Sequence, residues 1–344
     1  MNIYEKLPGA VLPWYAANQR ALPWRKDREP YHIHLSEIML QQTRVEAVKN
    51  YYTRFLQALP TVEDLANAPD EMLQKLWEGL GYYSRVRNLK KAARVIVDVY
   101  GGQYPQKYEE VLALPGVGPY TAGAICSIAF GERTPAVDGN VLRLITRLTD
   151  DDTPVDDPAF VRKVRQELAQ VYPTDAGSFT QGLMELGATI CGPNRVPDCQ
   201  ECPCKEFCLG YRRGTAPQLP KKAPKRPRRR EQYTVFILRC GDRYAVERRP
   251  ETGLLAGLWQ FPNVPGILTL PQALETAKSL GIQVREVLRQ IEMSHIFTHI
   301  EWQMNGFYLE TAVETPGYTW CTPEEIATEV ALPTAFRQFW ENRI

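Results

Sequence analysis

Apolar residues recur at helical spacing through roughly the first 190 positions of the chain. They follow a period near 3.6 around Ile38, and again over residues 62–100 and 159–190. Ser36 precedes the first of these runs and is predicted to be its N-cap. A glycine-rich stretch at 79–83 interrupts the second run. This part of the chain is therefore predicted to be all α-helical.

The apolar period changes to two beyond residue 231, as expected for strands. The predicted strands are 233–239, 243–248 and 302–309, and the predicted helices in this region are 270–280 and 322–330. Residues 231–344 are thus predicted to form an α+β domain of a size that folds alone. Before it, 210–230 is rich in proline and basic residues and has no apolar period, so it is predicted to be an extended linker.

A segment rich in proline and glycine, Leu114–Tyr120, lies between two apolar helical runs. Pro115 and Pro119 end or begin helices, while Gly116 and Gly118 give the backbone freedom to reverse. The pattern predicts a helix, a tight hairpin and a second helix. The outward-facing amides at the start of that second helix can bind a phosphate without reading a base.

Several polar residues near these elements have two interpretations each. Asp138, in a loop after the hairpin, indicates chemistry on nucleic acid or is an ordinary surface aspartate. Glu37 shares a helix face with Gln41, and taken alone it is a solvated acid favoured by the helix dipole in a first turn. Tyr82 wedges between bases or packs in its glycine turn. Arg85 and the basic residues after it meet phosphates or form a solvated face.

Composition limits the class of protein. A chain of 344 residues with 44% hydrophobic residues suggests two domains with packed cores. The net charge of +1 is no argument for nucleic acid, so any basic surface would be local. The N-terminus has no apolar leader segment, and no apolar run approaches a membrane span. We therefore expect no membrane association and a cytoplasmic protein, nucleoid-associated if the source is bacterial.

Five of the eight cysteines crowd into residues 191–208, which indicates a metal site. The four that fit one site, with gaps of seven, two and five residues, are Cys191, Cys199, Cys202 and Cys208. Structural zinc usually takes two knuckles with two intervening residues, and one such knuckle is present. The spacing suits a cubane iron–sulfur cluster better. A zinc site and an incidental group of thiols remain alternative interpretations. Cys204 is a fifth thiol that this spacing does not use.

Several motifs in sequence order, together with the cysteines, carry a family resemblance. They are SEIMLQQT (36–43), GLGYYSRVRNL (79–89), LPGVGPYTAGAI (114–125), VDGNV (137–141), RRPETGLLAGLWQFPN (248–263) and FTH (297–299). The chain resembles the helix-hairpin-helix DNA glycosylases, and within them the MutY family of adenine DNA glycosylases. The resemblance implies a multi-domain chain: an all-α helix-hairpin-helix glycosylase domain with an iron–sulfur cluster at 1–209, the basic linker at 210–230, and an α+β, nudix-like 8-oxoguanine recognition domain at 231–344.

The resemblance also implies an activity. Such an enzyme rotates adenine out of double-stranded DNA, where it is mispaired with 8-oxoguanine or guanine, and excises it to leave an abasic site. Glu37 matches the catalytic acid and Asp138 the catalytic aspartate, and paired carboxyl groups suit an oxocarbenium-like transition state. The other matches are Gln42 and Tyr82 for the wedge, Arg25 and Gln181 near the flipped adenine, Gly116 and Gly118 at a phosphate, Phe297, Thr298 and His299 at the damaged base, and Cys191, Cys199, Cys202 and Cys208 for a 4Fe–4S cluster. We expect a monomer.

Two features separate this activity from related ones. Relatives that also cut the strand use a lysine after the hairpin to form a Schiff base, and Tyr120 occupies that position here. The nudix hydrolase motif is missing from 231–344, so this domain should recognise and not hydrolyse. The rival interpretations are a bifunctional, endonuclease III-like glycosylase/lyase acting on oxidised pyrimidines, and a non-catalytic iron–sulfur DNA-binding protein.

The chain departs from the family pattern at two points. The first gap of the cysteine motif is seven residues where the family usually has six, which affects the register near Cys191. Threonine stands at position 298 where the family usually has serine. Threonine keeps the hydroxyl and adds a methyl group, so contact with the damaged base is expected in an altered form.

Overall fold

The computed structural model describes residues 2–193, 195–224 and 227–343. The helices are α1 (Ile3–Asn18), α2 (Pro30–Leu40), α3 (Val45–Ala58), α4 (Val62–Asn67), α5 (Asp70–Leu76), α6 (Ser84–Tyr100), α7 (Tyr108–Leu112), α8 (Pro119–Phe130), α9 (Gly139–Thr149), α10 (Pro158–Val171), α11 (Ala176–Thr189), α12 (Leu209–Arg213), α13 (Leu270–Ser279), α14 (Pro323–Thr328) and α15 (Thr334–Glu341). The strands are β1 (Arg229–Cys240), β2 (Arg243–Arg248), β3 (Trp259–Gln260), β4 (Asn263–Pro265), β5 (Val284–Ile296), β6 (Ile300–Thr311) and β7 (Thr319–Cys321). Across these described segments, no helix is both long and apolar enough to cross a membrane.

The chain divides into two compact units. One consists of Met1–Asn67 and Ser84–Pro224, and the other of Ala68–Tyr83 and Lys225–Ile344. The described part of the first unit is helical, and the second combines strands with helices. The prediction of an all-α part followed by an α+β part is therefore confirmed.

Helix α8 is buried in the helical unit because it has no polar face. Every residue from Thr121 to Ile128 is buried, as expected for a helix that is apolar all round. Gly123 allows a neighbouring chain segment to approach closely, since a Cβ there would collide with the backbone of Pro135. The main apolar core of this unit joins α9 to α11 through residues that include Leu144, Leu148, Leu183 and Leu186.

The prediction that Ser36 caps a helix is wrong. Helix α2 begins at Pro30, whose ring suits the first helical position, so Ser36 lies in its interior. The Ser36 side chain is buried, and its hydroxyl donates to the Ile33 carbonyl oxygen at 2.9 Å. Residues 31–39 are almost continuously buried, so polar side chains within the helix do not mark its surface.

A mixed sheet organises the second unit. Its strands run in the order β3-β2-β1-β6-β5, and β4 and β7 pair with β1 and β2. Strand β1 contains the continuous buried run 234–238, because both faces of the sheet are covered. Ile237 packs with Phe336 of α15 on one face, and Phe236 packs with Ala273 of α13 on the other.

The strand and helix predictions in this unit hold for its buried elements. The three predicted strands lie within β1, β2 and β6, and the two predicted helices overlap α13 and α14. The sequence does not predict β5, which is 13 residues long and has no fully buried residue. Charged and polar side chains interrupt its apolar alternation, so pairing with β6 defines this strand.

Residues 68–83 precede most of the helical unit in sequence but pack with the sheet. Glu78 is buried, and its Oε1 accepts the Leu332 amide at 3.1 Å. Its Oε2 lies 2.9 Å from Lys75 Nζ and 3.3 Å from Arg337 Nη2. A buried carboxylate with these partners fixes the segment firmly, since breaking such a set leaves an uncompensated charge.

Candidate active site

A pocket of about 620 Å³ opens in the helical unit, a volume within the usual range for ligand sites. Helices α2, α8, α9 and α11 contribute to its walls. Residues predicted from the sequence that line it are Glu37, Asp138, Tyr120, Arg25, Gln42 and Gln181. The fold therefore brings both candidate carboxyl groups to one cavity.

Glu37 projects from α2 into this pocket and is 6% exposed, so it is not a solvated surface acid. The Tyr120 hydroxyl, from the first turn of α8, donates to Glu37 Oε2. Burial raises the pKa of Glu37 to about 7, against the lowering effect of this hydrogen bond. The negative charge of Asp138 raises the pKa further, and the positive charge of Arg25 lowers it. A substantial fraction of Glu37 is therefore protonated near neutral pH.

Asp138 is the N-cap of α9. Its Oδ1 accepts the Val141 amide at 2.8 Å, and its Oδ2 accepts Asn140 Nδ2 at 2.7 Å. Burial raises the pKa of Asp138, while these hydrogen bonds and the positive charge of Arg143 act in the opposite direction. The positive end of the α9 dipole also favours the anion.

The two carboxyl groups differ in their partners, and this decides where a shared proton lies. Two buried negative charges disfavour each other, so the pair retains one proton over a range of pH. Asp138 accepts several hydrogen bonds that stabilise an anion. Among the described residues, Tyr120 is the one donor to Glu37. The arrangement therefore places the proton on Glu37 and the negative charge on Asp138.

Gly116 and Gly118 have different roles in the hairpin between α7 and α8. Gly116 has a φ of +76°, and a Cβ there would collide with Asn88, so this position requires glycine. Gly118 has an extended backbone and open space around the position of a Cβ. Because Gly118 is the N-cap of α8, its missing side chain leaves the start of that helix open to an anion.

Arg85 does not lie on a solvated basic face. Its side chain is buried, and Nη1 donates to the carbonyls of Ile38, Met39 and Gln41 at 2.7, 3.2 and 2.6 Å. The last carbonyls of a helix have no partner within the helix, so Arg85 supplies one to the end of α2. Gln42 follows directly in a left-handed conformation, with a φ of +57°. Arg85 therefore supports the loop that presents Gln42.

Two arginines at the pocket are bound to one buried carboxylate. Glu185 of α11 accepts Arg20 Nε at 2.6 Å and Arg25 Nη2 at 2.8 Å. Burial alone would raise the pKa of Glu185, but the two arginines lower it to about 2. The Arg25 guanidinium also lies 5.5 Å from the centre of the Tyr15 ring. This arrangement fixes Arg25 at the wall of the pocket.

The four predicted metal ligands line one small, apolar pocket near α9, and Cys204 does not. All eight cysteines are free thiols. Arg147 Nη1 donates to the Cys191 carbonyl at 2.8 Å and lies 3.3 Å from its sulfur. Its positive charge favours a deprotonated thiol at this position. Within the described residues, no group of three or more His, Cys, Asp or Glu has the geometry to hold a single metal ion.

Helix α9 joins the carboxyl pocket to the cysteine pocket. Asn140, which binds Asp138, accepts Arg143 Nη2 at 2.7 Å. Arg143 Nε in turn donates to the Cys191 carbonyl at 2.9 Å. A continuous set of hydrogen bonds therefore runs from the carboxylate at the start of the helix to the backbone of Cys191.

The second unit holds the remaining predicted residues. Phe297, Thr298 and His299 form the turn between β5 and β6. The Phe297 ring packs on Trp302, with ring centres 4.9 Å apart, and Thr298 is exposed. The Tyr82 hydroxyl lies 2.7 Å from Thr298 Oγ1, and Tyr82 is 46% exposed. This unit therefore joins the aromatic wedge candidate to the threonine of the recognition motif.

Sequence reasoning misses the residues that act through others. Glu185 looks like one more acid in an amphipathic helix, and Arg85 like part of a basic run. The three-residue spacing of Asn140 and Arg143 does not indicate that either residue supports the pocket. Pairing across long stretches of chain gives each its role. A charged residue within a mostly apolar run, as in LMELG, is the one available hint.

Comparison with known proteins places this geometry in a class. Residues 35–171 match the HhH-GPD superfamily of base excision DNA repair proteins, and residues 234–342 match the NUDIX domain. A solved thermostable thymine-DNA glycosylase is 30% identical with a TM-score of 0.54, covering 61% of this chain and 97% of its own. A solved endonuclease III–DNA complex, 24% identical with a TM-score of 0.52, shares the fold and covers 62% of this chain and 99% of its own. The protein is a helix-hairpin-helix DNA glycosylase with a nudix fold.

Relatives that match most of the chain identify the activity more narrowly than the domain matches do. The adenine DNA glycosylase of Homo sapiens is 38% identical, covering 96% of this chain and 72% of the human protein. That of Schizosaccharomyces pombe is 31% identical, covering 88% and 81%, and that of Buchnera aphidicola subsp. Baizongia pistaciae is 30% identical, covering 87% and 84%. The chain belongs to the adenine DNA glycosylase (MutY) family. It is an N-glycosyl hydrolase that acts on adenine in base excision repair, so this prediction is confirmed.

Replacing Arg85 by Met should lower the free energy of unfolding by about 2–4 kcal/mol, because buried carbonyls at the end of α2 lose their donor. Arg162→Met, an exposed change on α10, should alter it by less than about 0.5 kcal/mol. Urea unfolding followed by circular dichroism measures both. Equal effects of the two substitutions would remove the supporting role of Arg85.

Proposed function

We propose that the substrate is adenine opposite 8-oxoguanine, or opposite guanine, in double-stranded DNA. The observation that carries the chemistry is the pair of buried carboxyl groups with unequal partners, Glu37 and Asp138, in one pocket. The proposal includes a monomeric, cytoplasmic enzyme. Single-turnover release of adenine from duplexes with 8-oxoguanine, guanine or cytosine opposite tests it directly.

Bond breaking begins with proton transfer. Glu37, protonated, gives its proton to a ring nitrogen of the flipped adenine, which makes the base a better leaving group. The C1′–N9 bond then breaks and its electron pair leaves with adenine, so the sugar becomes an oxocarbenium ion. The Asp138 carboxylate stabilises this cation. Adenine leaves as a neutral base, because it already carries the proton from Glu37. Water adds at C1′ and gives a proton to the Glu37 carboxylate, which restores the acid and yields the abasic site.

Tyr120 supports hydrolysis without strand cleavage. A Schiff base needs an amine, and Tyr120 presents a hydroxyl from the position where strand-cutting relatives have a lysine. Burial and the nearby Glu37 carboxylate raise the pKa of Tyr120, so the hydroxyl remains a hydrogen-bond donor. Its role is to orient Glu37 through the hydrogen bond to Oε2.

Gln42 and Tyr82 are each candidates for a side chain that enters the base stack. Each lies at an exposed turn with a positive φ value, +57° for Gln42 and +48° for Tyr82. The amides beside Gly116 and Gly118 hold a phosphate at the start of α8. Arg25 and Gln181 line the pocket that receives adenine.

The second unit reads the opposite base. The oxidised base has an N–H at position 7 where guanine has an acceptor, and Thr298 offers a hydroxyl oxygen to it. Thr298 lies in an exposed turn and not in the strand ladder, so its hydroxyl oxygen can accept from a base in addition to its hydrogen bond with Tyr82. Phe297 and His299 hold the ends of this turn, through the Trp302 contact and the Arg229 amide.

The cysteine pocket suits a 4Fe–4S cluster. Four thiols around one apolar cavity, with Arg147 beside Cys191, form the donor set that such a cluster takes. Cys191, Cys199, Cys202 and Cys208 would hold it, and the spare Cys204 would not. When bound, the cluster supplies a rigid link for the segment 191–208. The hydrogen bonds from Arg143 and Arg147 carry that rigidity to α9.

Asp138→Asn should reduce single-turnover adenine release by about 100-fold or more, because an amide does not offset the charge of the oxocarbenium ion. Glu37→Gln should have a comparable effect, since it removes the proton donor. Both variants should still bind the mismatched duplex in a gel-shift assay. Near-normal adenine release by Asp138→Asn would contradict the catalytic role and leave Asp138 only as the N-cap of α9.

Thr298→Ala should lower the ratio of adenine release opposite 8-oxoguanine to release opposite guanine by about tenfold. Thr298→Ser retains the hydroxyl and is the matched control. Full-length protein is the suitable sample, because residues 68–83 belong to the second unit and truncation would remove the rest of that unit. A ratio that Thr298→Ala leaves unchanged would take the recognition role from this hydroxyl.

Cys191→Ser should lose most of the iron and acid-labile sulfide of the purified protein. Cys204→Ser should retain both, because Cys204 does not line the cysteine pocket. Iron and sulfide analysis with visible absorbance measures the difference. Zinc without sulfide in the wild type, or equal iron loss in the two variants, would contradict the assignment.

A further inference from the structure

A buried carboxylate with no part in bond breaking lies in the catalytic pocket. Glu185 is 1% exposed, and it lines the same cavity as Glu37 and Asp138. A buried anion is costly unless cations and hydrogen bonds compensate it. Because Glu185 lies in the same pocket as Glu37 and Asp138, we looked for a role in addition to packing.

Glu185 has two guanidinium partners, held in a fixed geometry. Its Oε1 accepts Arg20 Nε at 2.6 Å and the Arg20 amide at 3.2 Å. Its Oε2 accepts Arg20 Nη2 at 2.9 Å and Arg25 Nη2 at 2.8 Å. Arg25 is further held by the bond from its Nη1 to the Arg20 carbonyl at 3.2 Å and by its position over Tyr15.

We propose that Glu185 is a positioning residue that binds Arg25 and keeps its guanidinium from forming an ion pair with Glu37. This inference rests on the proposed role of Glu37 as the proton donor. Arg25 and Glu37 line the same pocket, and the positive charge of Arg25 lowers the pKa of Glu37. A guanidinium released from Glu185 would share the pocket lining with Glu37, whose one hydrogen-bond donor among the described residues is the Tyr120 hydroxyl. An ion pair there would hold Glu37 as an anion and remove the acid.

The other charged or titratable groups of this pocket do not substitute for this arrangement. Tyr120 of α8 donates a hydrogen bond, and Asp138 at the start of α9 contributes negative charge. Arg20 is bound to Glu185, and Arg143 of α9 is bound to Asn140 and to the Cys191 carbonyl. Arg25 is the group whose positive charge acts on Glu37, so its compensation by Glu185 controls how readily Glu37 keeps a proton.

The experiment is the pH dependence of single-turnover adenine release by the full-length protein. Release needs protonated Glu37, so the wild-type rate should be constant at low pH and fall as pH rises through about 7. Glu185→Gln should move the midpoint of this fall down by about one pH unit, because an amide does not neutralise Arg25. Arg25→Gln should move it up, because Glu37 loses a cationic neighbour.

Two controls separate positioning from a general structural effect. Glu185→Asp retains the charge, so its midpoint should lie near that of the wild type. Glu110→Gln removes an acid from an exposed pair with Lys107 on α7, and should leave the midpoint unchanged. Thermal melting and duplex binding report whether each variant is folded. If Glu185→Gln does not fold, Glu185→Asp and Arg25→Gln carry the test.

The outcomes distinguish this inference from the proposed function. A wild-type protein that releases no adenine, or a Glu37→Gln variant that releases it normally, overturns the proposed function. Normal wild-type release with an unshifted midpoint in folded Glu185→Gln overturns the role of Glu185 alone. A midpoint in Arg25→Gln that stays unshifted or moves down also overturns it. Opposite shifts in these two variants support it.

Discussion

The burial of Glu37 and Asp138 in one pocket is the constraint on which the helical unit depends. Two carboxyl groups in one cavity do not both ionise readily near neutral pH, so their surroundings decide which one keeps a proton. Asp138 receives a backbone amide, the Asn140 side chain and the positive end of α9. Glu37 receives Tyr120. This difference in partners produces an acid and an anion from two similar side chains.

Helix α9 transmits this arrangement to the rest of the unit. Its first residue follows Asp138, and its side chains Arg143 and Arg147 bind the backbone of Cys191. A disturbance of the cysteine segment therefore reaches Asp138 through one helix. The buried guanidinium of Arg85 performs a similar task for α2, where it supplies donors to the helix end that precedes Gln42.

The segment 68–83 changes how the chain must be divided. Its residues lie between α4 and α6 in sequence, yet Glu78 and Lys75 bind the C-terminal part of the chain. Tyr82 and Thr298 therefore belong to one compact unit and are joined by a hydrogen bond. The same compact unit therefore positions the aromatic wedge candidate and the candidate recognition residue, although 216 positions separate them.

Local pattern was sufficient for the two-part fold, the hairpin at Gly116, the buried strands and the family, because periodicity and short motifs are properties of neighbouring residues. Local pattern did not predict where α2 begins, because that helix is buried on nearly all sides. It did not predict β5 either, because pairing with β6 defines that strand. The motifs also identified Glu37 and Asp138 as candidates. Tertiary structure alone decided that they share a pocket, and that Glu185, Arg85 and Arg143 support it. Those roles depend on hydrogen bonds between distant segments, and the free energy of burying a charge is set by whatever the fold places around it.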